Sequence, residues 1–316
     1  MTARTALFLV SPVPEAAGSI SGWLEAGNCI SEIWYSRPRN RGMIHRDARL
    51  AVLAPHWSVS RLARKHGIAM REVPPLSNWA GAVETARSTG SDAMISCMFS
   101  FRIPQEMLAL FGARAVNLHP APLPQYRGPH TTYAMILDGS ITTEACVTLH
   151  VMAPEFDTGD VIAVEPFDFP ETGSMMQFFL HCGRAGYRLT ATAVPRYLDG
   201  ELPAVPQDKS RAGYPRLDPG DLAIGPHVDL KAVRRMFATL GSLEALRVAG
   251  VHGIKAAKLS AVLGSPSGEP PAVRQRAIDC DIADARIRMR RSLPWSSAAG
   301  KLVRLLSVMT AARPRD

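Results

Sequence analysis

The chain has 316 residues, 47% of them hydrophobic, and its 36 Lys and Arg against 28 Asp and Glu give a net charge of +8. That length suits two domains with real cores, and a charged fraction of 20% with ample Leu, Val and Ile excludes a disordered chain. A mean hydropathy of zero, with no apolar run near ~20 residues, excludes a spanning helix. In chain order, Ala6–Val10 reads as a buried strand, Ser19–Ala26 as a helix ended by Gly27, and Ile30–Tyr35 as a second strand. Trp57–His66 follows as a helix stopped by Gly67, then Ile68–Val73 as a strand. Ala93–Phe99 and Ala113–Leu118 are two more strands, with a short helix Pro104–Leu110 between them. Continuous apolar strands alternating with helices indicate a parallel sheet covered on both faces. Glu144–Met152 and Val161–Phe167 are strand-like, and a helical stretch runs from Ser174 to Tyr197 with Pro195 near its end.

Residues Gly200–Gly220 are rich in Pro, Gly and charge, which reads as a linker. Beyond it Asp229–Thr239 is helical in pattern, and Leu246–Ala249, Ile254–Ser260, Ala277–Asp281 and Ala285–Met289 are short β-like runs. The expected fold class is therefore α/β: an open, mostly parallel, Rossmann-like sheet over residues 1–205, then a linker and a small β-rich, OB-like domain over 206–316. Five widely spaced cysteines without a CxxC pair indicate neither a disulfide framework nor a zinc site. Cys97 and Cys146 read as core residues. The apolar start MTARTALFLV is too short for a signal peptide and is followed by no clear cleavage site, so a reduced, cytoplasmic protein is expected.

Sites in open α/β sheets form outside the carboxyl ends of strands, which directs attention to the segment after Ala113–Leu118. It runs Asn117-Leu118-His119-Pro120-Ala121-Pro122-Leu123-Pro124-Gln125-Tyr126-Arg127-Gly128-Pro129-His130. Its prolines fix φ and stiffen the loop. Asn117 and His119 point the same way on an extended chain. Asn offers an amide donor to a developing oxyanion, and His carries a proton near neutral pH. Downstream, Phe156-Asp157-Thr158-Gly159-Asp160 joins two predicted strands, and a carboxylate there could orient His119. Taken singly, Asn117 could cap a turn, His119 could be a satisfied core histidine and Asp157 could be a turn residue. The ordered set carries the weight.

That set, Asn117-x-His119, Leu123-Pro124-x-Tyr126-Arg127-Gly128 and Asp157-Thr158-Gly159-Asp160, resembles the 10-formyltetrahydrofolate-dependent formyltransferase family. The likeness is strongest over residues 90–165. The resemblance implies a one-carbon transferase with catalytic Asn117, His119 and Asp157, using 10-formyltetrahydrofolate as co-substrate and no metal. Asn117 would bond the formyl oxygen as it becomes an oxyanion. His119 would stabilise that oxyanion and shuttle a proton. Asp157 would orient His119 and help to take the amine's proton. The folate would meet backbone in two loops, placing Phe99, Phe101 and Ile103, with Ser100, in the first, and Phe156 and Asp160 in the second. Arg127 and His130 are expected on the acceptor side, Arg127 serving equally well as a loop anchor.

The family formylates different amines, so the set does not name the acceptor. Length, linker and small β domain resemble methionyl-tRNA formyltransferase, as does Leu217–Gly250 with Asp221-Leu222-Ala223-Ile224 and the Lys231–Thr239 helix. Ser36-Arg37-Pro38-Arg39-Asn40-Arg41-Gly42 resembles that enzyme's basic insertion, and positive charge aids tRNA binding. Against this, Arg127-Gly128 is followed by Pro129-His130-Thr131-Thr132-Tyr133, closer to small-molecule members. Ser11-Pro12-Val13-Pro14 and Ala238-Thr239-Leu240-Gly241 also depart from the tRNA enzyme. The expected acceptor is a small primary amine, an amino-sugar nucleotide first and a natural-product amine second. Methionyl-tRNA is the alternative, followed by a 10-formyltetrahydrofolate hydrolase and a non-catalytic RNA-binding protein. Arg37, Arg39, Arg41 and Arg46 on the side of His119 would favour tRNA or a nucleotide sugar. No membrane partner is expected, and apolar runs of the second domain could supply a homodimer interface.

Overall fold

A computed structural model describes residues 3–99, 101–241 and 245–291, with every side chain in them except those of residues 37–41 and 219. The chain divides into two compact units. The first takes residues 1–131, 144–167 and 179–215, and the second takes 132–143, 168–178 and the chain from 216 onward.

In the first unit the elements are β1 (Thr5–Val10), α1 (Pro14–Glu25), β2 (Cys29–Tyr35), α2 (Arg37–Leu53), α3 (Val59–His66), β3 (Ala69–Glu72), α4 (Ala82–Ser88), β4 (Ala93–Cys97), α5 (Gln105–Phe111) and β5 (Ala115–His119). β6 (Cys146–Val151), β7 (Val161–Pro166), the larger part of α7 (Met175–Arg188) and α8 (Val194–Leu198) complete this unit, while α6 (Thr131–Asp138), from residue 132, and residues 175–178 of α7 belong to the second. Seven strands form one sheet in the order β3-β2-β1-β4-β5-β6-β7. The first five are parallel, while β6 and β7 run antiparallel. Residues 6–10 of β1 and 93–97 of β4 are buried without alternation, as central parallel strands require. One sheet face buries Leu7, Leu9, Met94 and Ala115 against Val73, Leu76, Met107 and Phe111.

The other face meets α1, which begins five residues earlier than the sequence pattern indicates. Pro14 occupies its first turn, where the missing N–H costs nothing and the fixed φ suits the helix. A β-carbon on Gly18 would lie 1.9 Å from Gly183 O, so this helix and α7 pass with their backbones in contact. The long helical stretch after Ser174 is interrupted at Leu189–Ala193 by a π-helical turn. Pro195 supplies the reason, because its ring clashes with the carbonyl four residues back and it donates no N–H.

The described part of the second unit holds β8 (Ala223–Ile224), α9 (Leu230–Leu240), β9 (Arg247–Val248), β10 (Val251–Gly264), β11 (Ala272–Val273), β12 (Ala277–Asp281) and β13 (Arg286–Arg291). They form a second, β-rich sheet ordered β11-β12-β13-β10-β9-β8. Alternation along β13 buries Ile287 and Met289, while Arg286 and Arg288 pair with Asp281 and Asp279 on the neighbouring β12. No helix among the described residues is long and apolar enough to cross a membrane.

Candidate active site

β5 ends on Asn117-Leu118-His119, and the alternation of a strand sends Leu118 into the core opposite the two polar side chains. β6 lies antiparallel to it with His150 directly across from Asn117, a position where side chains touch. The turn from β6 to β7 then returns Asp157 to the same place. Asn117 Nδ2 lies 3.1 Å from His150 Nε2 and 3.4 Å from Asp157 Oδ1. Asp157 Oδ1 is also 3.6 Å from His119 Nδ1 and 3.4 Å from His150 Nε2. Asp157 Oδ2 accepts a 2.8 Å hydrogen bond from Gly128 N. Asn117, His119 and Asp157 thus converge, and all but Asn117 are close to fully enclosed: the Asp157 side chain is 10% exposed and those of His119 and His150 less.

The partners of the ring nitrogens assign the tautomers. His150 Nδ1 donates to Val151 O at 2.8 Å, so its Nε2 accepts from the Asn117 amide. His119 Nε2 donates to Tyr126 O at 2.6 Å, which leaves Nδ1 as the nitrogen open to a proton, facing the carboxylate. Burial lowers the pKa of His119 and His150 lowers it further, while Asp157 and the Tyr126 carbonyl act in the opposite direction and lose. Burial would raise the Asp157 carboxyl, yet His119, His150 and the Gly128 N–H outweigh it and hold it at about 2. At neutral pH the centre is a buried carboxylate beside a neutral imidazole.

Asp157 adopts φ +56°, left-handed for a residue with a side chain, at a cost of about 1–2 kcal/mol. Such strain persists only where surroundings impose it. Gly159 is one imposing feature: a β-carbon there would lie 1.9 Å from Val151 O, so the turn folds back onto the end of β6. Gln207 is another, donating Nε2 to the carbonyls of Asp157 (2.9 Å) and Gly159 (2.6 Å).

The remaining expected site residues fall as follows. Phe101 and Ile103 turn their side chains inward, and Phe99 meets Phe101 edge-on at 5.7 Å. Ser100 lies outside the described residues. Phe156 is half-exposed, with the Arg102 guanidinium 5.5 Å from its ring centre. Asp160 is partly buried and its carbonyl accepts from Val151 N. His130 is exposed. Arg127 is buried, with its guanidinium on Gln207 Oε1 and Tyr214 OH, an arrangement that serves to anchor the loop. The side chains of Arg37, Arg39 and Arg41 lie outside the described residues. Arg46, on α2, has its pKa lowered by burial and by Arg49. His150 and Gln207 escaped the sequence reading. The signal for His150 was its place opposite Asn117, which needs the strand register. Gln207 gave no signal beyond a Pro-rich stretch.

Residues 77–176 match the family model described as formyl transferase. A methionyl-tRNA formyltransferase from Streptococcus pyogenes serotype M6 is 33% identical over 162 residues, 51% of this chain and 51% of that protein. The chain spans about half the length of the curated relatives it matches. Among solved structures, the sugar 3N-formyl transferase WlaRD, crystallised in the presence of dTDP and 5-N-formyl-THF, aligns with a TM-score of 0.60 and 15% identity over 92% of this chain and 98% of that one. An N-formyltransferase from Helicobacter canadensis, in complex with folinic acid and dTDP-3-aminofucose, aligns at 0.58 and 13% identity over 92% and 100%. A HypX variant from Aquifex aeolicus aligns at 0.61 and 18% identity over 96% of this chain and 48% of its own. The resemblance read from Asn117, His119 and Asp157 is borne out over the matched segment, and the α/β fold with its second β-rich sheet is borne out with it.

Proposed function

We propose, from the premise of a formyl transferase segment over residues 77–176, that this chain transfers the formyl group of 10-formyltetrahydrofolate to a primary amine. The observation that carries the reading is the convergence of Asn117, His119 and Asp157 within 3.6 Å on the ends of β5 and the β6–β7 turn. The amine attacks the formyl carbon, and the carbonyl electron pair moves onto oxygen. Asn117 meets that oxygen by exchanging its long contact to Asp157 for it, while the shorter bond to His150 keeps the amide in place. One such donor supplies about 3–4 kcal/mol in acyl transfer.

A carboxylate held at about 2 is a poor base. His119 therefore takes the proton from the attacking nitrogen at Nδ1, and Asp157 stabilises the imidazolium so formed. The same proton passes to the folate nitrogen as its bond to carbon breaks, leaving tetrahydrofolate and a formamide. Such acid–base transfer contributes roughly 10²–10⁴-fold. The Phe101 and Ile103 side chains are buried, so any folate contact at these two positions falls to main-chain groups rather than to exposed rings or methyls. Half-exposed Phe156 provides an apolar face beside Asp157.

A small amine, first of all a nucleotide-linked amino sugar, is the acceptor this reading favours. It draws support from Pro129-His130-Thr131-Thr132-Tyr133 after the loop and from exposed His130 at its edge. Full-length alignment with sugar N-formyltransferases is compatible with that layout. Methionyl-tRNA is the second reading, favoured by the 33% identity over half the chain. The protein is incubated with 10-formyltetrahydrofolate and, separately, nucleotide-linked amino sugars, charged methionyl-tRNA and buffer alone. Formylated sugar supports the first reading and formylated tRNA the second. Formate released in buffer alone identifies a hydrolase.

A further inference from the structure

Residues 205–214 read as linker from their composition, yet they bind both loops of the site. Val205 exchanges two 2.8 Å backbone hydrogen bonds with Val161, the first residue of β7. Gly213 N donates to Pro124 O at 2.9 Å, and Gly213 O accepts from Arg127 N at 3.0 Å. A β-carbon on Gly213 would lie 2.2 Å from Gln125 O, so this backbone approach requires glycine. One end of the segment is pinned beside the Asp157 turn, and the other to the loop that follows His119.

Gln207 stands between the pins with its amide saturated. The two Nε2 hydrogens go to the carbonyls of Asp157 and Gly159, at 2.9 and 2.6 Å. Oε1 accepts from Nε and Nη2 of Arg127, at 3.0 and 2.7 Å. The orientation is fixed, because reversal would set oxygen against two carbonyls and NH2 against a guanidinium. Of the contacts made by the Asp157 side chain, the bond from Gly128 N is short, while those to His119 and His150 are long enough for a small rotation of the turn to lose. The geometry points to Gln207 as a positioning residue that clamps the Asp157 turn to the Arg127 loop and so sets the distance between Asp157 and His119. The inference deepens the formyl-transfer reading, and its kinetic consequence rests on that reading.

Two variants separate this role from simple anchoring of Arg127. Gln207→Met keeps the length, adds no charge and removes all four hydrogen bonds. Gln207→Glu keeps the Arg127 pairing and removes both donors to the turn. The His119 ring is titrated by NMR in substrate-free protein. The groups facing it are Asp157 from the turn, His150 from β6 and the Tyr126 carbonyl from its own loop. Asp157 favours the charged ring, so loosening the turn moves the midpoint down, by about one pH unit in Gln207→Met. In both variants kcat falls about 10-fold or more, with KM for the folate donor within about two-fold of the wild type. A Gln207→Met protein that titrates like the wild type overturns the inference, as does a Gln207→Glu protein with wild-type kcat. Should the wild type formylate no amine, the functional reading fails while the titration still decides the role of Gln207. The side chain is only partly buried, so its loss empties no core. Gln207→Ala provides the same titration if the Met variant does not fold.

Discussion

Replacing Glu15 by glutamine should change how the stability of the first unit depends on pH. Glu15 lies in the first turn of α1, fully buried, and among the described residues no nitrogen or oxygen donor reaches its carboxyl oxygens. Burial pushes its pKa from 4.5 up to about 8, and the neighbouring Cys97 thiol, a weak donor, offsets only part of this. A carboxyl whose folded-state pKa is raised contributes stability that is fully present below 4.5 and is lost as pH rises through about 8. Between pH 5 and pH 7.5 the loss is 2.5 pH units at 1.36 kcal/mol each, about 3 kcal/mol. Glu15→Gln keeps the shape and has no proton to lose. Burial raises the Cys97 and Cys182 thiols well above 9, so they are silent across this window, and His119 titrates in both proteins alike. Urea unfolding followed by the fluorescence of buried Trp23 and Trp34 reads the first unit. The stability of the variant relative to wild type should rise by about 3 kcal/mol from pH 5 to pH 7.5. An unchanged difference between the two proteins would refute the reasoning, whatever the absolute stabilities.

Gly159→Ala sets a β-carbon against Val151 O. It should cost about 1–3 kcal/mol in urea unfolding and displace Asp157 enough to lower formyl transfer about 10-fold or more. His150→Leu removes the acceptor that holds the Asn117 amide, and kcat should drop roughly 100-fold in steady-state assays. Because burial depresses the His119 pKa, the proton-accepting form persists below the ordinary imidazole range. The pH profile of kcat/KM should therefore hold its plateau below pH 6.5, and an acid limb at or above that value contradicts the account.

Much of this architecture was legible in the sequence because the relevant signals are local. The apolar runs of β1, β4 and β5 fall within two residues of the expected strands, and the Ala277–Asp281 strand matches at both ends. Asn117, His119 and Asp157 were legible as an ordered set. What escaped depends on register and burial. His150 acquires its place from antiparallel pairing with β5, which no spacing rule conveys. Gln207 sits in a stretch whose composition signals a loop, and its hydrogen bonds to Asp157, Gly159 and Arg127 follow from the fold. Glu15 precedes the helix that the pattern places at Ser19–Ala26, and only the earlier start at Pro14 makes it a helix residue and turns it inward. α2 carries so many charges that it showed no apolar stripe, and the helix went unread.

The most direct test of the central claim measures tetrahydrofolate release with 10-formyltetrahydrofolate and the accepted amine, in wild type and in His119→Ala and Asp157→Asn proteins. Both variants should keep their fold by near-ultraviolet dichroism and lose activity by roughly 10²–10⁴-fold. Full activity in either variant would show that formyl transfer does not run through the cluster at the end of β5.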